Sequence, residues 1–230
     1  MINKIVRFFT NPNARYNLKR KILERTVRKR IVKRMRKTIQ NQDFSVISSD
    51  CIGGLIYHDL NMQFRSPTVN LFIPAHSFVK FCSNLRYYMA IEPVEVETDE
   101  HYPVMRIDDV FLHGVHYKSF DELKEKWEER KQRINYDNLF MIFTAKDGFD
   151  ESLLPFIDEI PGKKVLFSNK PYDYEWCCVL PQFKRCRYVG DLTRYVGIRG
   201  NKYYEAQFNV VKWLNGSYTA CCMKKERHIV

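Results

Sequence analysis

Residues 44–60 read FSVISSDCIGGLIYHDL, and this stretch decides the fold. Its first part, Phe44 to Ile47, has the composition of a buried strand, and Gly54 to Leu60 has the apolar spacing of a helix. The two parts are joined by a short polar turn that ends in two adjacent glycines. A strand that leads through glycines into a helix opens a βα unit, and this predicts an α/β fold.

The same alternation continues along the chain. Further buried strands are predicted at Val69–Ile73, Leu139–Phe143 and Lys164–Phe167, and further helices at His76–Ala90, Ser119–Ile134, Asp150–Ile157 and Tyr203–Leu214. The segment from Glu92 to Tyr117 is typical of antiparallel or edge strands. We therefore expect an α/β fold with a mostly parallel, Rossmann-like sheet flanked by helices, in one lobe or two.

The positive charge is concentrated at the N-terminus. Residues 1–40 hold fourteen of the 38 Lys and Arg and one of the 27 acidic residues, so their net charge is +13. Residues 41–230 have a net charge of −2, and the two parts sum to the +11 of the whole chain. This asymmetry divides the chain into a basic arm, residues 1–42, and an α/β domain, residues 43–230.

The arm has the pattern of one long amphipathic helix, because residues 15–40 lack Gly and Pro and their apolar residues recur every four or five positions. These apolar residues are Leu18, Ile22, Val27, Ile31, Met35 and Ile39. We expect eight basic residues to bind an anionic membrane, namely Lys19, Arg20, Lys21, Arg28, Lys29, Arg30, Lys33 and Arg34. Upstream, Ile5, Val6, Phe8 and Phe9 are suited to insertion among headgroups. Nucleic acid is the alternative partner, because its phosphates attract the same side chains.

The carboxyl ends of parallel strands are where such sheets bind ligands, so the residues after each predicted strand are the candidate site. After the first strand, the residues Ser49, Asp50, Gly53 and Gly54 are candidates for binding a phosphate at a helix start. Cys51, His76 and Asp147 are candidate catalytic residues near the same edge, and Lys170 is a further phosphate ligand.

Each candidate also has a structural interpretation that the sequence leaves open. The glycine turn is equally typical of a tight strand-to-helix connection, His76 of a helix cap, and the Asp147–Gly148 pair of a turn.

Asp108 and Asp109 are the second candidate centre, because acidic pairs in metal-dependent glycosyltransferases hold a divalent cation against a nucleotide diphosphate. We take Asp109 as the catalytic candidate of the pair. His113 and His116 point to opposite faces if they share a strand, which argues against a zinc pair. A Cys51 nucleophile with His76 or His113 as base remains an alternative for acyl transfer.

The sequence also predicts the compartment. No apolar run has the length of a membrane span or of a secretory signal, and Cys177–Cys178 and Cys221–Cys222 are sequence neighbours poorly placed to bridge each other. We expect reduced thiols and a cytoplasmic protein, held at the inner face of the cell membrane by the arm.

Five segments carry a family resemblance: SSDCIGGLIYHDL (48–60), SPTVNLFI (66–73), FVKFCSNLRYY (78–88), YPVMRIDDVFLHGVHYKSFDELKEKWEERKQRINYDNLFMIFT (102–144) and KKVLFSNKPY (163–172). They resemble a bacterial family of exopolysaccharide or capsular polysaccharide biosynthesis proteins. The resemblance covers about residues 43–215. It implies a two-lobed α/β architecture and a role in surface glycan assembly, and it supplies no catalytic residue.

Together these observations predict a transferase that moves a glycosyl or related group from an activated donor. The expected ligands are a nucleotide-sugar donor with a divalent cation and an activated sugar or lipid-linked acceptor. A non-catalytic scaffold in polysaccharide assembly is the alternative, and nucleic-acid binding through the arm is another.

Overall fold

A computed structural model describes residues 11–217. Ile5, Val6, Phe8, Phe9, Cys221 and Cys222 lie outside the described residues. The helices are α1 (Pro12–Arg25), α2 (Val27–Thr38), α3 (Ile52–Leu60), α4 (Ala75–Ser83), α5 (Leu85–Ala90), α6 (Phe120–Lys131), α7 (Leu154–Glu159) and α8 (Val210–Leu214). The strands are β1 (Ser45–Ser48), β2 (Val94–Val96), β3 (Val104–Ile107), β4 (Val110–His113), β5 (Leu139–Thr144), β6 (Lys163–Ser168) and β7 (Cys177–Val179). Short 3-10 turns occupy Glu151–Leu153, Pro181–Phe183 and Tyr203–Glu205.

A four-stranded parallel sheet forms the centre, in the order β1-β5-β6-β7. Val46 lies beside Phe140 and Ile142 beside Val165, so all the carboxyl ends meet at one edge. The mostly parallel sheet is thus confirmed. The described parallel strands follow chain order across the sheet without a reversal, and the Rossmann-like arrangement stays a prediction.

The predicted antiparallel segment is also confirmed, since β2, β3 and β4 form a three-stranded antiparallel sheet. The two sheets are not separated into independent cores. Ile47 and Met141 of the parallel sheet belong to the same apolar cluster as Ile107 and Leu112 of the antiparallel one.

Val69–Ile73 is not a strand of the parallel sheet, and that prediction is wrong. Asn70 has a left-handed φ of 66°, which interrupts the extended conformation. Phe72 forms a single bridge with His113, and Ile73 donates its N–H to the carbonyl of Ser49 at the end of β1. The fourth parallel strand, β7, was missed because it is only three residues long.

Three predicted helices are interrupted. The segment His76–Ala90 breaks at Asn84, which lies outside helical geometry, and becomes α4 and α5. The arm breaks at Thr26, where φ is −119° and ψ is −95°, into α1 and α2. The closing segment Tyr203–Leu214 holds a 3-10 turn and the five-residue α8.

Both faces of the parallel sheet are covered. One face packs against α4, α6, α7 and the antiparallel sheet. The other face contributes Phe140 and Phe167 to a cluster with Ile56 of α3, Trp213 of α8 and Met35 of the arm. The second half of the arm is therefore part of a covering layer.

Among residues 11–217, no helix has the length and apolar character that crossing a membrane requires.

Candidate active site

Polar side chains from the ends of β1 and β5 converge at the carboxyl edge of the sheet. Lys146 lies after β5, and its Nζ is 3.3 Å from Asp50 Oδ2 and 3.4 Å from Asp147 Oδ2. The two carboxylates outweigh the effect of burial, which alone would lower the pKa of Lys146, so this pKa is raised and the ammonium is retained. We call Asp50, Cys51, His116, Lys146 and Asp147 the rim cluster.

The Asp50 carboxylate also fixes the start of α3. Its Oδ1 accepts hydrogen bonds from the Ile52 N–H at 3.0 Å and from Ser48 Oγ at 3.2 Å. Asp50 is buried, and its other oxygen, Oδ2, contacts Lys146. Both carboxylate oxygens therefore have partners within the protein. Ser49 is buried as well, and its hydroxyl lies 3.4 Å from that of Thr144. Ser49 and Asp50 therefore have buried, structural contacts at the carboxyl edge of the sheet.

A cysteine and a histidine face each other at the surface of the rim. Cys51 Sγ lies 3.2 Å from His116 Nε2. Burial of the thiol, followed by the charge of Asp50, raises the pKa of Cys51 to about 11, although Lys146 acts in the opposite sense. The resting pair is therefore a neutral thiol beside an imidazole.

The loop that carries His116 is held rigidly from both sides. The Gly114 N–H donates to the Pro103 carbonyl at 2.8 Å, and a Cβ on Gly114 would stand 2.9 Å from Leu123 Cδ2, so only glycine fits. On the other side, the buried Tyr117 hydroxyl donates to the Val69 carbonyl at 3.0 Å and accepts from Arg130 Nη1 at 2.6 Å. These contacts position His116 opposite Cys51.

His116 is not one of the bases predicted from the sequence, His76 and His113, both of which have other partners. His113 forms the bridge with Phe72, and burial lowers the pKa of His113. His76 Nε2 is 2.6 Å from Asp150 Oδ2, so its imidazole is engaged at the start of the next turn. The missed signal was that His116 follows Gly114, after the strand has ended, where strand alternation no longer applies.

Asp109 contacts groups outside the rim cluster, and its catalytic role stays a prediction. It lies at the β3–β4 turn, beside Asp108 with its left-handed φ of 53°. Its carboxylate pairs with Lys80 and accepts from the Tyr88 hydroxyl at 3.0 Å. The hydrogen bond from Lys80 holds the pKa of Asp109 below its ordinary range. Lys170 is likewise committed, since its Nζ is 3.0 Å from Glu151 Oε1.

The two glycines at the start of α3 have a packing role. A Cβ on Gly53 would stand 3.0 Å from Ser48 Cβ, and one on Gly54 would stand 3.1 Å from Val69 Cγ1. Both residues are buried. Their small size lets α3 lie close against β1 and the Val69 segment, as the tight-turn interpretation predicts.

A cleft of about 1160 Å³ lies between the arm and the body. We call it the cationic cleft, because its lining contains seven basic residues and three acidic ones. The basic residues are Arg20, Arg28, Lys29, Lys33, Arg36, Arg194 and Lys202, and the acidic ones are Glu24, Asp59 and Asp191. Within residues 11–217, Lys29 and Lys33 make no ion pair, so their charges are available to a ligand.

Arg28 forms the floor of the cleft, and its burial corrects its assignment to a membrane face. It is 4% exposed and pairs with Asp59, and its Nη1 lies 2.6 Å from Glu205 Oε2. Burial alone would lower the pKa of Arg28, but the hydrogen bond to Glu205 and both carboxylate charges raise it above its ordinary value. Lys202 Nζ completes the network at 3.3 Å from Asp59 Oδ2.

The basic residues of the arm are divided between two faces. Arg20, Arg28, Lys29 and Lys33 line the cleft, whereas Lys19, Lys21, Arg30 and Arg34 do not. Leu18 and Ile22 remain 47% and 53% exposed on α1.

The cleft and the rim cluster adjoin each other along α3. Leu55, one turn after Cys51, lines the cleft. Asp191 also lines it, and the Asp191 charge is close enough to contribute to the raised pKa of Cys51. The cleft therefore extends along α3 to within one helical turn of Cys51, which is not itself part of its lining. Within residues 11–217, no group of three His, Cys, Asp or Glu side chains is placed to hold a metal ion, and the expected divalent cation stays a prediction.

Residues 22–215 match the family described as a domain of unknown function, DUF1919. The chain belongs to the DUF1919 family. An uncharacterized protein of Haemophilus influenzae is 37% identical to it over 183 residues, which cover 79% of this chain and 88% of that protein. The DUF1919 match begins inside α1 and so includes α2, which packs on the body; the division of the chain at residue 42 stays a prediction.

Proposed function

We propose that this protein is a transferase that acts on a phosphate-bearing sugar, either nucleotide-activated or lipid-linked, in the assembly of a capsular polysaccharide or exopolysaccharide. The observation that carries the proposal is the junction of the cationic cleft with the rim cluster at the carboxyl edge of a parallel sheet. The family resemblance supplies the setting of glycan assembly.

The cleft is suited to a ligand with phosphates. Its volume of about 1160 Å³ is slightly above the roughly 300–1,000 Å³ usual for small-molecule sites, so a ligand as large as a nucleotide sugar fits. Lys29 and Lys33 face it from the arm, while Arg36 is held in place by its Nε donating to the Asp59 carbonyl at 2.7 Å. Cations fixed on a low-dielectric wall attract an anion more strongly than they would in bulk water.

The rim cluster supplies the groups for the transfer step. Asp147 is exposed, and a carboxylate there is suited to accept the proton of an attacking hydroxyl. Lys146 is placed to stabilise negative charge that develops on a reacting group.

The outer face of the arm is suited to the inner leaflet of the cell membrane. The exposed Leu18 and Ile22 are one helical turn apart, beside Lys19 and Lys21. Each basic residue near an anionic leaflet contributes about 1 kcal/mol. Membrane binding would bring the cleft close to a lipid-linked substrate.

Two charge-matched double variants test the proposal. Lys29→Glu/Lys33→Glu alters the cleft, and Lys21→Glu/Arg30→Glu makes the same change in net charge outside it. We expect a panel of uridine and cytidine diphosphate sugars to raise the melting temperature of the parent and of the outer variant, and the shift to be lost in the cleft variant. Binding to vesicles rich in phosphatidylglycerol should instead be lost in the outer variant.

The absence of a shift across the panel would contradict the transferase proposal. Polysaccharide output that survives alanine at Cys51, Lys146 and Asp147 would favour a non-catalytic scaffold. A duplex or RNA bound more tightly than vesicles at matched salt would favour nucleic-acid binding through the arm.

A further inference from the structure

We propose that Cys51 is a covalent nucleophile that carries an acyl group, with His116 as its general base. This inference rests on the proposed function for its acceptor, a hydroxyl of the sugar bound through its phosphates in the cationic cleft. The proposed function leaves the transferred group open, and this inference specifies an acyl group.

The first support is the geometry of the pair. The Sγ–Nε2 distance of 3.2 Å is hydrogen-bonding distance, and a base must lie within such reach of the nucleophile whose proton it removes. His116 is exposed and Cys51 is partly exposed, so a substrate can reach both. The neutral thiol in this site needs a base at the moment of attack, as a serine does.

The second support is that the pair is held in place by elements on both sides. Cys51 stands at the start of α3, which Gly53 and Gly54 fix against β1 and the Val69 segment. Tyr117, the neighbour of His116, binds the carbonyl of that same Val69. Contacts with the Val69 segment therefore help to position both the Cys51 thiol and the His116 imidazole.

The third support is the contrast with the other described cysteines. Cys82, Cys177 and Cys178 are buried, and Cys186 is exposed. Cys51, in contrast, is partly exposed, and His116 Nε2 lies 3.2 Å from its sulfur.

The reaction proceeds in two balanced steps. In the first, the Cys51 thiol gives its proton to His116 Nε2, its sulfur forms a bond to the acyl carbon of an activated ester or thioester, and the bond from that carbon to the leaving group breaks. His116 returns the proton to the leaving group. In the second, His116 rather than Asp147 accepts the proton of the sugar hydroxyl, and the hydroxyl oxygen bonds to the acyl carbon. The carbon–sulfur bond breaks, and His116 returns the proton to the sulfur to regenerate the thiol. Lys146 stabilises the oxyanion in both steps.

The experiment uses p-nitrophenyl acetate as the acyl probe and the full chain as the enzyme. Acetylation of each cysteine is followed by peptide mass spectrometry, with the exposed Cys186 as the internal reference. We expect Cys51 to be acetylated faster than Cys186 and the adduct to be released by hydroxylamine, as a thioester is. His116→Gln should lower the rate at Cys51 by about tenfold or more and leave Cys186 unchanged.

A matched control and a rescue separate base catalysis from a structural role. His101→Gln alters another exposed histidine outside the rim cluster and should leave the ratio of the two rates unchanged. In His116→Ala, added imidazole should restore acetylation of Cys51 relative to Cys186.

Acetylation of Cys51 that is no faster than that of Cys186, or that is unchanged in His116→Gln, would overturn the inference. That failure leaves the proposed function intact if diphosphate sugars still raise the melting temperature of the parent. If diphosphate sugars do not raise the melting temperature of the parent but Cys51 is still acetylated faster than Cys186, the phosphate-bearing substrate is contradicted. The role of Cys51 as a nucleophile is then still supported.

Discussion

At the scale of single residues, close approaches of the backbone determine where the functional groups stand. Gly53 and Gly54 allow α3 to pack against β1 and Val69. Gly114 allows the loop that carries His116 to pack closely against Leu123. Their effect on function is indirect, because each sets the position of Cys51 or His116.

Replacement of Gly53 by alanine should destabilise the protein. The new Cβ would lie 3.0 Å from Ser48 Cβ, so helix and strand must separate, and overpacking of this kind costs about 1–3 kcal/mol. Urea unfolding of Gly53→Ala measures the loss. His58→Ala, at an exposed position of the same helix, is the control and should change the free energy of unfolding by less than about 0.5 kcal/mol. Equal stability of the two variants would refute the packing role.

The raised pKa of Cys51 predicts a pH dependence of stability. The folded protein favours the neutral thiol, so this contribution is present below the ordinary thiol pKa of 9.0 and is lost as the pH rises through about 11. Between these values, the free energy of unfolding of the parent should fall more steeply than that of Cys51→Ala. Urea unfolding of both proteins across this range measures the difference, and parallel curves would show that the thiol titrates normally.

At the scale of elements, the arm is joined to the body by a buried ion-pair network and by apolar contacts. Arg28 of α2 pairs with Asp59 of α3 and with Glu205 of the 3-10 turn. Met35, two turns further along α2, is buried in the apolar cluster beneath the sheet. The break at Thr26 separates this docked helix from α1, which keeps Leu18 and Ile22 exposed.

Replacement of Arg28 by alanine should loosen the arm. It would remove the arginine partner of two buried carboxylates, Asp59 and Glu205, and breaking a buried pair in this way costs about 3–5 kcal/mol. Urea unfolding and the rate of tryptic cleavage within α2 measure the effect. Arg30→Ala removes an exposed arginine from the same helix and should behave like the parent. Resistance of α2 to trypsin in Arg28→Ala would show that apolar contacts suffice to dock it.

At the scale of the whole molecule, the antiparallel sheet, the helices and the arm together cover the parallel sheet. The arm and α3 are two walls of the cationic cleft, and α3 begins at the rim cluster. Binding in the cleft therefore depends on the arm remaining docked.

A chain that begins at residue 43 should be less stable than the parent and should lose binding in the cleft. This shorter chain lacks α2, so the apolar cluster that Met35 covers becomes exposed, and Asp59 and Glu205 lose their partner Arg28. We expect a lower melting temperature and no thermal shift with diphosphate sugars. A chain that begins at residue 11 keeps both helices and is the control. An unchanged melting temperature in the shorter chain would support an independent domain at residues 43–230.

The sequence predicted the elements whose signals are local. Three parallel strands, the antiparallel segment and the helix at α6 were recognised because apolar runs and periodicity reflect burial on each element. Val69–Ile73 failed because one left-handed residue, Asn70, cancels an apolar run, and Cys177–Val179 is too short for a pattern. Asp50, Cys51 and Asp147 were predicted to lie at one edge of the sheet because each follows a strand, and their roles in a site stay predictions.

What the sequence alone determined was the sheet type, the concentration of charge in the arm and the polar turn after β1, since each is written in consecutive residues. Only the tertiary structure decided that His116 faces Cys51, that Asp109 faces Lys80 and that half of the arm's selected cations line a cleft. The partner in each case comes from a distant part of the chain. Composition fixes how strongly such groups attract each other, but the packing of helices against the sheet fixes which of them meet.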